Sequence, residues 1–128
     1  MASELKVDKF TGVTTAGSIV VTGEGNSTTT NLQQGLVKAW HFSTNAASLT
    51  DSFNISGGTD NGTGDYSYAF TNSFGNDDFS CPHIPAADTS AFMNNISRGT
   101  GTMRLTGINH ANSGTDMVNC GTVNGDLA

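Results

Sequence analysis

The residues whose types could do chemistry are few: His41, His83 and His110, Cys81 and Cys120, and the carboxylates, of which Asp60 and Asp65 flank Asn61 among glycines. Asp60, Asn61 and Asp65 imitate a calcium loop in composition, but the ligand spacing of an EF-hand is missing, and hairpin-turn chemistry accounts for all three. The cysteines form no CxxC pair, so zinc is not expected, and both are read as free thiols. Serine and threonine abound, yet no Gly-x-Ser-x-Gly elbow is present. A glycosidase needs two carboxylates held about 5–10 Å apart in a cleft, and nothing in the spacing argues for such a pair. The glycine-rich stretch Gly23-Glu24-Gly25-Asn26-Ser27-Thr28 lacks the lysine of a phosphate-binding loop. The chain is therefore expected to be non-enzymatic, with no cofactor and no metal.

Composition sets the frame for these residues. Ser, Thr, Asn and Gly make up 60 of the 128 residues, while Leu, Ile, Val and Phe supply only 25. Short polar side chains compete for backbone hydrogen bonds and weaken helices, and β-branched threonine suits strands. The expected fold is all-β with a thin apolar core. Sharing a core between subunits is the usual remedy for that thinness. The net charge is −6 and only five Lys and Arg are spread over the chain, so no nucleic-acid surface is expected. There is no run of 18 apolar residues and no apolar signal core after Met1, so membrane insertion is not expected and synthesis in a host cytoplasm is.

Two regions differ in pattern. Residues 1–35 carry Leu5, Val7 and Phe10, then Ile19, Val20 and Val21, at strand-like spacing but too sparsely for a core. They are read as an extended N-terminal attachment and trimerisation arm with one or two short strands. Residues 36–128 are read as a head domain. Trp40 and Phe42 share one face of a strand, Phe53 and Ile55 share another, and Tyr66, Tyr68 and Phe70 alternate with small residues. Asn61-Gly62 suits a tight turn, so residues 50–71 are read as a β-hairpin. Asp78-Phe79-Ser80-Cys81 reads as a short strand ended by Pro82. Residues 82–100 are read as a loop with a strand at 91–97, in preference to a helical turn capped by Asp88 or Thr89. Strands at 101–106 and 116–123 close the chain around a turn at 109–114.

Trp40-His41-Phe42, then Asp51-Ser52-Phe53-Asn54-Ile55-Ser56, then Thr59-Asp60-Asn61-Gly62-Thr63-Gly64-Asp65-Tyr66 resembles a signature of tail-fibre and receptor-binding proteins of tailed bacteriophages. Met103-Arg104-Leu105, Thr115-Asp116 and Asn124-Gly125-Asp126-Leu127-Ala128 are similar to the family's closing strands. Leu5-Lys6-Val7-Asp8-Lys9 resembles the start of short structural proteins of marine phages. The likeness spans roughly 36–81 and 101–128 and fails at 82–99 and 110–112. It implies a homotrimeric virion protein with a β-sandwich-like distal domain and no catalysis.

On this reading Trp40, Phe42, Phe53, Ile55, Tyr66, Tyr68 and Phe70 form the core or the trimer interface. An axial metal held by three copies of one histidine is weighed and set below an ordinary hydrogen-bonded histidine. The regions where the likeness fails point outward, so His83, Phe92, Arg98, Asn109 and His110 are the candidate receptor-facing residues. Expected partners are further copies of the chain, other virion proteins through residues 1–35, and a host-surface glycan or protein. The expected place is the virion surface, as a tail fibre or spike. The rival readings are a capsid decoration or head fibre docked through its arm, and a small polysaccharide-degrading enzyme.

Overall fold

A computed structural model describes residues 4–13, 15, 18–23, 28–86 and 91–127. The polar stretch at 24–27 and the helix-cap positions Asp88 and Thr89 lie outside the described residues. The chain divides into two compact units, Met1–Leu36 and Val37–Ala128.

In the first unit, β1 (Val20–Thr22) and β2 (Thr29–Asn31) pair antiparallel, Val20 opposite Asn31. One turn of helix follows, α1 (Leu32–Gly35). Asn31 starts it, because its side-chain oxygen accepts from the Gln34 N–H at 3.1 Å. Leu5, Val7 and Phe10 lie in no strand, and they are exposed together with Val20 and Val21. Ile19 is half-buried just ahead of β1.

The second unit is all-β. Its strands are β3 (Ala39–Ser43), β4 (Leu49–Phe53), β5 (Ile55–Gly62), β6 (Asp65–Phe70), β7 (His83–Pro85), β8 (Ala91–Gly99), β9 (Thr102–Asn109) and β10 (Asn119–Val123). They make two four-stranded antiparallel sheets, in the orders β4-β3-β10-β7 and β5-β6-β9-β8. Both sheets feed one core. Tyr66, Tyr68 and Phe70 come from β6, Met103 and Leu105 from β9, Ile55 from β5, and Ala39 and Val123 from the other sheet. The long connection between β6 and β7 adds Phe74 and Phe79, which meet Phe70 edge to face at centroid distances of 4.8 and 5.6 Å.

The expected hairpin at 50–71 is in fact two elements in different sheets. Residues 49–53 run in β4, and only β5 and β6 form the hairpin, with Thr63-Gly64 between paired Gly62 and Asp65. The chain changes sheet at Asn54, whose φ of 56° is left-handed. Asn54 holds that bend by donating from Nδ2 to the carbonyls of Lys38 and Asn72, at 3.1 and 3.2 Å. Its Oδ1 accepts from the Asn72 N–H at 2.7 Å. Phe53 and Ile55, two apart and read as one face, therefore part company: Phe53 is exposed and Ile55 is buried. The predicted strand at 78–81 is reduced to a single bridge, Ser80 to Asn124. Around the predicted strand at 91–97, β8 runs to Gly99 as the edge of its sheet.

Candidate interaction face and the histidine row behind it

Strand β3 points its small and polar residues inward. Ala39, His41 and Ser43 are buried, Trp40 is half-buried and Phe42 is 41% exposed. The tyrosines of β6 fill the space between the sheets, and Ser43 and Tyr68 meet hydroxyl to hydroxyl at 2.6 Å. The side chains opposite must therefore be short or must hydrogen-bond. Asn119 of β10 organises what is there. Its Oδ1 accepts from Tyr68 at 3.1 Å and from His41 Nε2 at 2.9 Å, while its Nδ2 donates to the Met117 carbonyl at 3.3 Å.

His41, Gly121 and His83 lie in register across β3, β10 and β7. The two imidazoles meet over the glycine with centroids 5.1 Å apart, and His41 also stacks on Tyr68 at 4.1 Å. A Cβ on Gly121 would come within 2.2 Å of the His83 ring, so only glycine lets that ring lie there. His83 Nδ1 donates to the Cys81 carbonyl at 2.8 Å. His41 Nδ1 and His83 Nε2 are buried without a hydrogen-bond partner. Burial lowers the pKa of both rings, that of His83 to about 4, so both are neutral at pH 7. The Ser43 hydroxyl is fully buried and tied to Tyr68 rather than to a histidine, so this group is a core network that joins the sheets.

The opposite face of the same sheet carries its aromatics. Register places Phe53, Trp40 and Thr122 in one row and Asp51, Phe42, Cys120 and Ile84 in the next. Phe53 is 53% and Ile84 60% exposed. The outward face of the other sheet supplies an internal contrast. Its rows read Thr59, Ser67, Arg104, then Asp65, Thr106, Asn94, then Ile108 and Phe92, so it is polar over two rows and ends on one exposed aromatic. Arg104 Nε donates to Asp65 Oδ1 there at 2.8 Å, and the guanidinium holds the Asp65 carboxyl below its ordinary range.

The candidate receptor-facing residues are placed in three ways. His83 is not outward: it sits in β7, and its neighbour Ile84 takes the outer face, because alternation along a strand sends adjacent side chains to opposite sides. Phe92 and His110 meet edge to face at 5.2 Å on the surface. Arg98 donates from Nη1 to the Phe79 carbonyl at 3.2 Å, and Asn109 Oδ1 accepts from the N–H groups of Ala111 and Ser113. Both thus spend polar groups on the fold. Of the core or interface candidates, Ile55, Tyr66, Tyr68 and Phe70 are core, whereas Trp40, Phe42 and Phe53 stand on the outer face. Asn119, Ser43, Gly121 and Ile84 were not singled out from sequence; their roles depend on register between strands far apart in the chain.

In the first unit, Phe10, Val13, Ile19, Leu32 and Leu36 line an open cleft of about 810 Å³. Cys81 and Cys120 are free thiols. Among the described residues, no three His, Cys, Asp or Glu are grouped to hold a metal ion, and no helix is long and apolar enough to cross a membrane. No protein-family model, no curated protein and no solved structure matches the chain.

Proposed function

We propose that this chain is a non-enzymatic structural subunit that works as a homotrimer, a tail fibre or spike subunit of a tailed phage involved in host attachment. Residues 36–128 act as a β-sandwich-like head and residues 1–35 as the arm that docks to other virion proteins. One observation carries the assembly part of this reading: the β4-β3-β10-β7 sheet turns its histidines, serine and glycine inward and its aromatics outward. The outward face of the second sheet is more polar, with Thr59, Ser67, Arg104, Asp65, Thr106 and Asn94 beside the single exposed aromatic Phe92. Covering Phe42, Phe53 and Ile84, each about half exposed, would gain about 1 kcal/mol apiece. The occupant that suits the face is a second copy of the chain, which answers the thin core of the single subunit. The phage assignment rests on the sequence likeness around residues 36–70, and the arm assignment on the exposed Leu5, Val7, Phe10, Val20 and Val21.

Static light scattering of the purified chain tests the assembly. The expected mass is three times 13.2 kDa. A folded monomer at micromolar concentration overturns the proposal.

A further inference from the structure

One group takes no part in the proposed assembly: the imidazoles of buried His41 and part-buried His83, tilted 31° to each other, each with one buried ring nitrogen unpartnered. We infer that His41 and His83 form an acid-sensitive latch, in which a proton on either ring unseats the β3-β10-β7 strands and, with them, the aromatic-bearing face on the other side.

The geometry supplies both halves of the device. The groups packed against the pair are Tyr68 from β6, Asn119 and Gly121 from β10 and the Cys81 carbonyl ahead of β7, with the Ser43 hydroxyl bonded to Tyr68. Burial raises the Tyr68 phenol and the Cys81 thiol, so neither carries charge in the acid range. The carboxylate influence nearby, from Asp60, falls on Tyr68. The charged group that acts on His83 is His41 itself, and it acts against protonation. An imidazolium here has no counter-ion among the described residues, and a buried unpaired charge is costly. The strain has one way out, through β7. That strand is only three residues long and stands at the sheet edge.

The readout lies one residue away on each strand. His41 sits between Trp40 and Phe42, Gly121 beside Cys120, and His83 beside Ile84. The histidine row and the outward row are thus the two sides of the same three backbones. Moving the first moves the second.

The sign follows from linkage. Both folded pKa values lie below the ordinary 6.5, so the unfolded or opened form binds more protons. Stability is full above about pH 6.5 and is lost as the pH falls from there toward 4.

Trp40 is the only tryptophan and lies in this sheet, so its fluorescence reports the opening. The experiment follows Trp40 emission and light scattering of the full chain between pH 7.5 and 4, for wild type and for His41→Gln/His83→Gln. The expected result is a wild-type emission change with a midpoint between pH 6.5 and 4 that is absent or moved at least one pH unit lower in the double variant. Histidine proton NMR of the wild type guards against a variant that fails to fold. His83 should titrate near 4 and His41 below the ordinary 6.5. Emission that stays flat to pH 4, an unchanged midpoint in a folded double variant, or His41 and His83 titrating at the ordinary 6.5 each overturns the latch. The link from latch to assembly rests on the proposed homotrimer. A chain that is monomeric at pH 7.5 removes that link and the homotrimer, while the emission change and the NMR titration still decide the latch.

Discussion

Ser43 on β3 and Tyr68 on β6 join the two sheets of the head through a 2.6 Å hydrogen bond between their hydroxyls. The same phenol donates to Asn119 Oδ1, which also receives His41 Nε2, so one oxygen on each sheet holds together a network of four side chains. Removing the phenol oxygen strands a buried serine and weakens the seat of the asparagine. Tyr68→Phe is expected to lower stability by about 1–3 kcal/mol, the cost of leaving buried polar groups unpaired. Urea denaturation followed by Trp40 fluorescence measures it; a loss under 0.5 kcal/mol would show that the network adds nothing.

Gly121 and His83 are coupled by space alone. Gly121→Ala is expected to cost about 1–3 kcal/mol, as for a forced overpacking, because the added methyl meets the imidazole at 2.2 Å. Taking the ring away should relieve it. The double variant Gly121→Ala/His83→Ala should therefore lose less than the sum of the two single changes, in a double-mutant cycle by denaturation. Strict additivity would place the clash elsewhere.

Asn54 combines a left-handed backbone with a side chain bonded to Lys38 and Asn72. The two contributions separate by substitution. Asn54→Gly keeps the backbone at ease and loses the bonds; Asn54→Ala loses both. The expected order of melting temperatures is wild type above Gly above Ala, with the Ala step below Gly about 1 kcal/mol. An alanine variant as stable as glycine would mean that the bend relaxes.

Phe42 and Phe53 should matter to assembly and little to the fold of one chain. On the proposed homotrimer, Phe42→Ser/Phe53→Ser is expected to abolish the trimer mass in light scattering while leaving the second unit folded, because neither ring is part of the core cluster. Circular dichroism should be unchanged. A variant that stays trimeric would move the interface off this face.

Much of the head was legible because strand alternation is a local property. Tyr66, Tyr68 and Phe70 point to one side for the same reason that Ser67 and Ala69 point to the other, and the structure buries the aromatic set. The turn after Asn109 was likewise readable, since it depends on neighbours in sequence, whereas the hairpin turns at Thr63-Gly64, two residues beyond the Asn61-Gly62 expected for it, which lies in β5. Period two says which residues share a face. It does not say which face is the inner one, and that is where the reading of Trp40 and Phe42 stopped short.

The sequence by itself determined an all-β chain, a sparse apolar inventory and the pairing of side chains along each strand. Only the tertiary structure decided that Phe53 and Ile55 separate, that His83 turns inward and Ile84 outward, and that His41, Gly121 and His83 form a row. Those facts depend on the bend at Asn54 and on the register of β10 against two strands distant from it in the chain. The tyrosines of β6 take the space between the sheets, and what faces them must be small or able to bond. The aromatics of β3 are left on the outside for want of room, a consequence of packing that no local pattern carries.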